Sequence, residues 1–219
     1  FNDPNDLKNY PRNVDGDIKL LSGRKVDVLF VPGVDDVYPA IDTRKFDFGS
    51  LESVMEGKHR PGHFNGVAQV VSRLFDIIKP HKAFFGQKDF QQVAIIRELV
   101  KQLNFNIEII TCPTIREKGG LAMSSRNQLL SETEKKHAEK IYKTLKKAKK
   151  KKEKMEIEEL EKWAVEKLNK DPLLDVEYFN VVNPENLQKS KKWGKPGENV
   201  ACVAVKIGSI RLIDNIFFD

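Results

Sequence analysis

What most narrows the fold of this chain is a succession of three segments. A short apolar run, Lys82 to Phe85, is followed by a helix-period segment, Gln91 to Leu103, and then by a second apolar run, Ile107 to Thr111. In the middle segment Val93, Ile96, Val100 and Leu103 recur at helical spacing and share one face. A strand, helix, strand unit crosses over right-handedly and lays its strands parallel. The polar segments that follow the two strands then emerge at the same carboxyl edge, where open α/β sheets bind ligands. Those segments are Gly86-Gln87-Lys88-Asp89 and Met123-Ser124-Ser125-Arg126-Asn127.

The preceding residues extend the pattern. Asn-Asp-Pro-Asn-Asp and Tyr-Pro-Arg within Phe1 to Asn13 are turn and extended signals. Gly16 to Ser22 reads as a short helix, Val26 to Val31 as a buried parallel strand, and Arg44 to Phe48 as an edge strand. A loop rich in breakers and cations, Gly57 to His63, leads into a helix over Phe64 to Ile78. Its expected face is Val67, Val70, Val71, Leu74, Phe75 and Ile78, and Pro80 stops it. The order is that of an α/β fold.

After Arg126 the pattern changes. Ser131-Glu132-Thr133-Glu134 is a capping box opening a long helix with Ala138, Ile141, Tyr142, Leu145 and Ala148 as its apolar stripe. A second amphipathic segment runs from Ile157 to Asn169 with no strand between the two, which does not continue a doubly wound sheet. Val176 to Val182 reads as a strand, and Ala201 to Val205 with Ile210 to Ile213 as a hairpin turning at Gly208-Ser209. The expected division is therefore residues 1–121, an α/β unit, and residues 122–219, a smaller α+β unit.

Composition excludes several classes. With 219 residues, 40% apolar and 32% charged, the chain can bury a core but contains no run near the roughly eighteen apolar residues of a membrane span. No signal-peptide pattern is seen, so a cytoplasmic location is expected. Cys112 and Cys202 form no C-x-x-C pair and read as free thiols. The net charge of +6 raises the alternative of a basic nucleic-acid-binding module, but lysines crowd Lys140 to Lys154, away from both polar segments, and read as a solvated helix face.

The chemistry-bearing candidates lie at the carboxyl edge. Gly86 lets a ligand approach the backbone, the following helix offers unpaired N–H groups to an anion, and Lys88 adds a point charge. Gln91 and Gln92 open that helix, and one of them is expected to face the cleft with an amide that both donates and accepts. Gly119-Gly120 joins a flexible pair to Ser124, Ser125 and Arg126, a set able to grip phosphate oxygens. The plainer alternatives are a strand-to-helix turn capped by Asp89, and a linker. His59 and His63 do not form a metal pair, since Pro61-Gly62 forbids one helix through both. Arg60 and His63 instead read as donors to an anion. No G-x-x-x-x-G-K-[ST], G-x-G-x-x-G, G-x-S-x-G or H-E-x-x-H is found.

Taken together, several collinear segments resemble the pantoate–β-alanine ligase (pantothenate synthetase) family. They are Asn5-Asp6-Leu7 with Tyr10-Pro11-Arg12, Arg60 to Phe64 with Gly66-Val67, Gly86 to Gln92, Gly120 to Asn127, and Arg211-Leu212-Ile213-Asp214-Asn215. The resemblance implies a Rossmann-like fold of the nucleotidyltransferase type, ATP and Mg²⁺ as cofactors, pantoate and β-alanine as substrates, a pantoyl-adenylate intermediate, and a homodimer. It assigns ATP contacts to Gly86, Gln87, Lys88, Asp89, Ile115, Met123, Ser124, Ser125 and Arg126, with Lys88, Ser124, Ser125 and Arg126 stabilising charge on the phosphates. It assigns pantoate to Gln92, with Val70, Val71 and Phe85 lining the apolar side of that pocket.

Two departures accompany the resemblance. Gln87 stands where the family usually has glutamate. The family also opens with a strand and an H-x-G-H turn, followed by a pantoate-gripping glutamine, and this sequence starts just after the place of that glutamine. The sheet is thus expected to be truncated at its amino-terminal side, and a non-catalytic remnant is the further alternative. The 219-residue chain alone is expected to form no pantothenate. A direct assay of product decides this, and appreciable turnover would contradict it.

Overall fold

The computed structural model describes residues 12–219. The turn signals and the Asn5-Asp6-Leu7 and Tyr10-Pro11 segments lie outside the described residues. Helix α1, Val14–Ser22, is capped by the Asn13 side chain, which accepts from the Gly16 N–H at 3.0 Å. It buries none of its residues. A short helix α2, Val34–Val37, follows.

Two expected strands are absent. Val26 to Val31 lies in no ladder, and Val28, Phe30 and Val31 are 82%, 44% and 54% exposed. A β-branched run records a capacity for burial, but a strand also needs a hydrogen-bonding neighbour, and none is present among the described residues. Arg44 to Phe48 is also not a strand. Side chains of the following helix tie its backbone instead: the Phe46 N–H donates to Asn65 Oδ1 at 2.9 Å, and Gln69 Nε2 donates to the Arg44 carbonyl at 2.8 Å.

The loop expected at 57–63 is partly helical. Helix α3, Met55–His59, ends just before Pro61, and α4, His63–Ile78, starts from Gly62 in the left-handed region at φ 77°. Helix α4 buries Phe64, Ala68, Ser72 and Phe75. Of the face expected from the periodicity, Phe75 is buried and Val67 and Val71 pack against the core, while Val70 and Ile78 are 36% and 53% exposed. The buried stripe is centred on Phe64, Ala68 and Phe75, slightly rotated from the expected one. There Phe48, Ile95 and Leu99 close one core.

Strand β1, Lys82–Gly86, helix α5, Phe90–Gln102, and strand β2, Glu108–Cys112, form the expected unit. The strands are parallel and in register from Lys82 opposite Glu108 to Gly86 opposite Cys112. Helix α5 buries Ile95 and Leu99 as well as Val93 and Ile96, because Phe64 and Ala68 of α4 pack against Ile95 and Leu99.

The remainder is a three-stranded antiparallel sheet with two helices. Helix α6, Glu132–Lys151, begins in the capping box: Ser131 Oγ accepts from the Glu134 N–H at 3.3 Å, and Glu134 Oε2 accepts from the Ser131 N–H at 2.8 Å. Helix α7, Ile157–Asn169, precedes strands β3, Asp175–Val182, β4, Asn199–Ile207, and β5, Ile210–Phe218, in the order β3-β4-β5. Every β4 residue except Lys206 is buried. Ala201, Val203 and Val205 face the core with α6 and α7, while Val200 and Cys202 face Met55, Phe90 and Ala94. The sheet is therefore covered on both faces, which explains why β4 reads as a continuous apolar run.

Two substitutions weigh these contributions. Ser131→Ala, which removes a cap, is expected to cost about 1 kcal/mol. Leu160→Ala, at a site with no exposure, is expected to cost about 2 to 5 kcal/mol. Urea unfolding midpoints check both, and a smaller loss at Leu160 than at Ser131 would contradict the packing described.

Candidate active site

A cleft of about 920 Å³ opens where the α3–α4 turn, the start of α5, the segment after β2 and strand β5 meet. The turn from β1 to α5 is held from two sides. The Gln87 N–H donates to the Cys112 carbonyl at 2.8 Å, which continues the β1–β2 ladder, and the Asp89 N–H donates to the Gly86 carbonyl at 3.2 Å. From the other side Asn215 of β5 donates through Nδ2 to the carbonyls of Gln87 and Lys88 at 2.9 and 3.0 Å. Its Oδ1 accepts from Gln87 Nε2 at 3.1 Å. Asp89 occupies the N-cap position of α5 but makes no side-chain cap bond, and its carboxylate lies 3.6 Å from Lys88 Nζ.

The segment after β2 is a tight hairpin rather than a flexible linker. The Glu117 N–H donates to the Leu121 carbonyl and the Met123 N–H to the Ile115 carbonyl, both at 2.9 Å. Gly120 has φ 94°, and a Cβ there would sit 2.6 Å from the Tyr142 ring, so both conformation and space require glycine. Arg116 lies 3.6 Å over that same ring and donates to both carboxylate oxygens of Asp214, at 2.6 and 2.9 Å. Asn127, also buried, donates to Glu117 Oε1 at 2.6 Å and to the Ala122 carbonyl at 3.1 Å. Between these anchors Ser124 Oγ accepts from the Arg126 N–H at 3.3 Å and starts a short 3-10 turn, Ser125–Leu129.

A charged cluster forms the cleft wall opposite the hairpin. Arg211 donates to both oxygens of Glu56 at 2.6 and 2.7 Å, and its Nε donates to Glu177 at 2.9 Å. The Tyr178 hydroxyl donates to Glu56 Oε1 at 2.7 Å. Burial acts to raise the Glu56 pKa, but Arg211 and Tyr178 outweigh it and hold the carboxyl below its usual range. Asp214 shows the opposite balance: burial dominates, Arg116 offsets it only in part, and the pKa is raised. Burial and the Glu56 carboxylate together push the Tyr178 hydroxyl well above its ordinary value.

Of the candidate residues, Arg60, His63, Lys88, Asp89, Gln92, Ser124 and Arg126 line this one cleft. Met123 and Ser125, with Ser124, line a neighbouring hollow of about 460 Å³. Gly86 and Gln87 do not line the cleft, and Ile115 is 68% exposed at the base of the hairpin. Val70 is on the outer side of α4, Val71 packs against the α4–α5 core, and Phe85 meets Phe75 edge to face at 6.4 Å. None of these three lines the cleft. Gln91 is buried and structural: its amide donates to the carbonyls of Leu51 and Val54 and accepts from the Glu56 N–H. Both glutamines border the cleft, and with the Gln91 amide committed to the backbone, Gln92 is the one left to meet a ligand.

Glu56, Arg116 and Tyr178 were not singled out from the sequence, and Asn215 entered only within the closing 211–215 segment, with no role assigned. Their signal is three-dimensional, since each partner pair spans between 98 and 155 residues. His63 lines the cleft beside Arg60. Arg60 Nη1 lies 3.1 Å from His63 Nε2, and a guanidinium can only donate, so Nε2 is an acceptor and the ring proton sits on Nδ1. Burial and then the Arg60 charge depress the His63 pKa to about 4. Among the described residues no group of three His, Cys, Asp or Glu side chains could hold a metal ion, and no helix is long and apolar enough to cross a membrane.

Comparison with known proteins places these residues in context. The family model described as pantoate-beta-alanine ligase matches residues 1–217. A pantothenate synthetase of Bacteroides fragilis strain YCH46 is 48% identical over 216 residues, which cover 99% of this chain and 77% of that protein. One of Azobacteroides pseudotrichonymphae genomovar. CFP2 is 51% identical over 219 residues, covering 100% of this chain and 78% of its own. The crystal structure of pantothenate synthetase from Thermus thermophilus matches with a TM-score of 0.90 at 39% identity, over 95% of this chain and 75% of that one. The pantoate-beta-alanine ligase from Francisella tularensis, complexed with beta-gamma ATP and beta-alanine, matches with a TM-score of 0.81 at 35% identity, over 99% and 74%. The parallel unit with its helices and the smaller antiparallel domain is thus the nucleotidyltransferase-like fold.

The depressed His63 pKa has a measurable sign. The unfolded chain takes up this proton near pH 6.5 and the native chain only near 4. Between those values the unfolded state binds more protons, so stability falls as pH drops from about 6.5 to about 4, and His63→Gln flattens that slope. An NMR titration of the imidazole checks the origin, and a value near 6.5 would contradict it.

Proposed function

The chain belongs to the pantoate–β-alanine ligase family, and from that premise we propose that it uses ATP to join pantoate to β-alanine. The observation that carries this reading is the convergence of Lys88, Ser124 and Arg126 from two distant segments on one cleft. The cleft volume of about 920 Å³ suits a nucleotide together with a small acid. Two cationic side chains and a hydroxyl suit its phosphates.

In the proposed reaction a carboxylate oxygen of pantoate attacks the α-phosphorus of ATP. The bond to the bridging oxygen breaks, and pyrophosphate leaves with its electron pair. The amine of β-alanine then attacks the acyl carbon of pantoyl adenylate, AMP departs, and the amine loses a proton. Lys88 and Arg126 stabilise charge that develops on the phosphates, and Ser124 and Ser125 donate to the remaining oxygens. Gln92, whose amide has no hydrogen bond to another described residue, holds pantoate by its hydroxyl or carboxylate. Arg60, oriented by His63, supplies positive charge from the opposite wall. Mg²⁺ belongs to the proposal as a partner of the triphosphate, which supplies most of its ligands, rather than as an ion in a protein cage.

The family's H-x-G-H does not occur in these 219 residues. The residues described here therefore bind ATP in this reading but need that further segment for turnover. Two experiments test the proposal. Calorimetry of ATP with the 219-residue chain is expected to show binding that Lys88→Ala weakens about tenfold or more. With a peptide carrying the H-x-G-H segment added, ¹⁸O from the pantoate carboxylate is expected in AMP. Label remaining wholly in pantothenate would refute the adenylate route.

A further inference from the structure

The last strand bears a motif whose residues reach three separate parts of the cleft. Arg211 holds Glu56 of α3, Asp214 holds Arg116 of the hairpin, and Asn215 holds the turn between β1 and α5. The third tie is the one that touches the backbone of a candidate phosphate-binding residue. Asn215 is 2% exposed, and its amide orientation is set by its surroundings: turning it over would place Oδ1 against the carbonyl oxygens of Gln87 and Lys88. Those carbonyls lie before the helical ladder of α5, in which Val93 donates to Asp89. Asn215 is the donor that both of them use.

The asparagine is itself held. Its backbone N–H donates to Asp214 Oδ1 at 2.8 Å, and it pairs with Cys202 of β4. Asp214 in turn is held by Arg116, so the carboxamide is an extension of a rigid sheet edge. The side chain of Lys88, by contrast, is directed by charge, through an ion pair of 3.6 Å with its neighbour Asp89 and the attraction of the Asp214 carboxylate. Where Lys88 enters the cleft therefore depends on its backbone, which the β1–β2 ladder holds at the Gln87 N–H and Asn215 holds at the carbonyls of Gln87 and Lys88.

We propose that Asn215 is a positioning residue of the ATP site: its carboxamide fixes the turn 86–89 and thereby the direction from which Lys88 meets the phosphates. This rests on the ATP reading above. It gives the antiparallel sheet a part in nucleotide binding through a side chain that need not touch the nucleotide. The geometry also gives Gln87 a role, since its side-chain amide occupies Asn215 Oδ1 and leaves both Asn215 N–H groups to the backbone carbonyls.

The test is a double-mutant cycle read by calorimetry with ATP on the full 219-residue chain. Asn215→Asp keeps the shape and removes both donors, so it is expected to weaken ATP binding about tenfold. In a Lys88→Ala background the same change is expected to alter binding by less than about twofold, because the residue acts through Lys88. Equal losses in both backgrounds, as a direct effect of the added charge would give, overturn the inference. So does an Asn215→Asp chain that binds like the unmodified one. Failure of the unmodified chain to bind ATP overturns the ATP reading and this inference with it, and is told apart by that control. Should Asn215→Asp not fold by circular dichroism, Asn215→Ser, neutral and left with one donor, is read in the same cycle against the same outcomes.

Discussion

The guanidinium of Arg211 between the carboxylates of Glu56 and Glu177 is the contact on which the arrangement of the cleft depends. It joins α3 to the antiparallel sheet through bonds of 2.6 and 2.7 Å to Glu56, a residue only 8% exposed. A buried pair of this kind contributes little net stability compared with an apolar pair, but losing one partner strands a buried charge at a cost of about 3 to 5 kcal/mol. Its value is geometric. The pair tolerates one seating of α3, and with α3 seated the Glu56 N–H meets Gln91, whose amide gathers the carbonyls of Leu51 and Val54. The α3–α4 turn carrying Arg60 and His63 follows from that seating.

Apolar packing supplies the energy that this specificity draws on. Strand β4 is buried on both faces, against Leu145, Leu160 and Leu168 on one side and against Met55 and Phe90 on the other. The second contact is modest in size and joins the sheet to the parallel unit. It brings β5 to the carboxyl edge of β1, where Asn215 and Asp214 can reach the turn and the hairpin. The polar ties decide register across this junction, and the apolar contacts hold it shut.

The sequence was most legible where a local signal coincides with the tertiary demand. The parallel pair with α5, the Ser131 capping box and the hairpin at Gly208-Ser209 all belong to this class, since each is specified by signals close together in the chain. It misled where composition was read as burial. Val26 to Val31 has the residues of an inner strand but no ladder partner among the described residues, and at the edge of the α4 face Val70 and Ile78 are left exposed because no described neighbour covers them. Within the site, the two polar stretches were visible from their glycines, cations and hydroxyls. Val70, Val71 and Phe85 came from resemblance and lie away from the cleft in this structure.

Periodicity, breakers and caps were enough for an α/β unit followed by an α+β unit, with the candidate phosphate-binding side chains at one sheet edge. These are short-range properties, written in spacing and in backbone preference. Which glutamine amide is left for a ligand, which nitrogen of His63 carries the proton, and which residues hold the turn and hairpin were decided only by the fold. Gln91 and Gln92 differ by one helical step of about 100°, and only the seating of α3 and the turn before it decides that the Gln91 amide is taken up by backbone groups. Asn215 reaches Lys88 across 127 residues of chain. No local pattern encodes such a pairing, because its free energy exists only once both faces of the antiparallel sheet are covered.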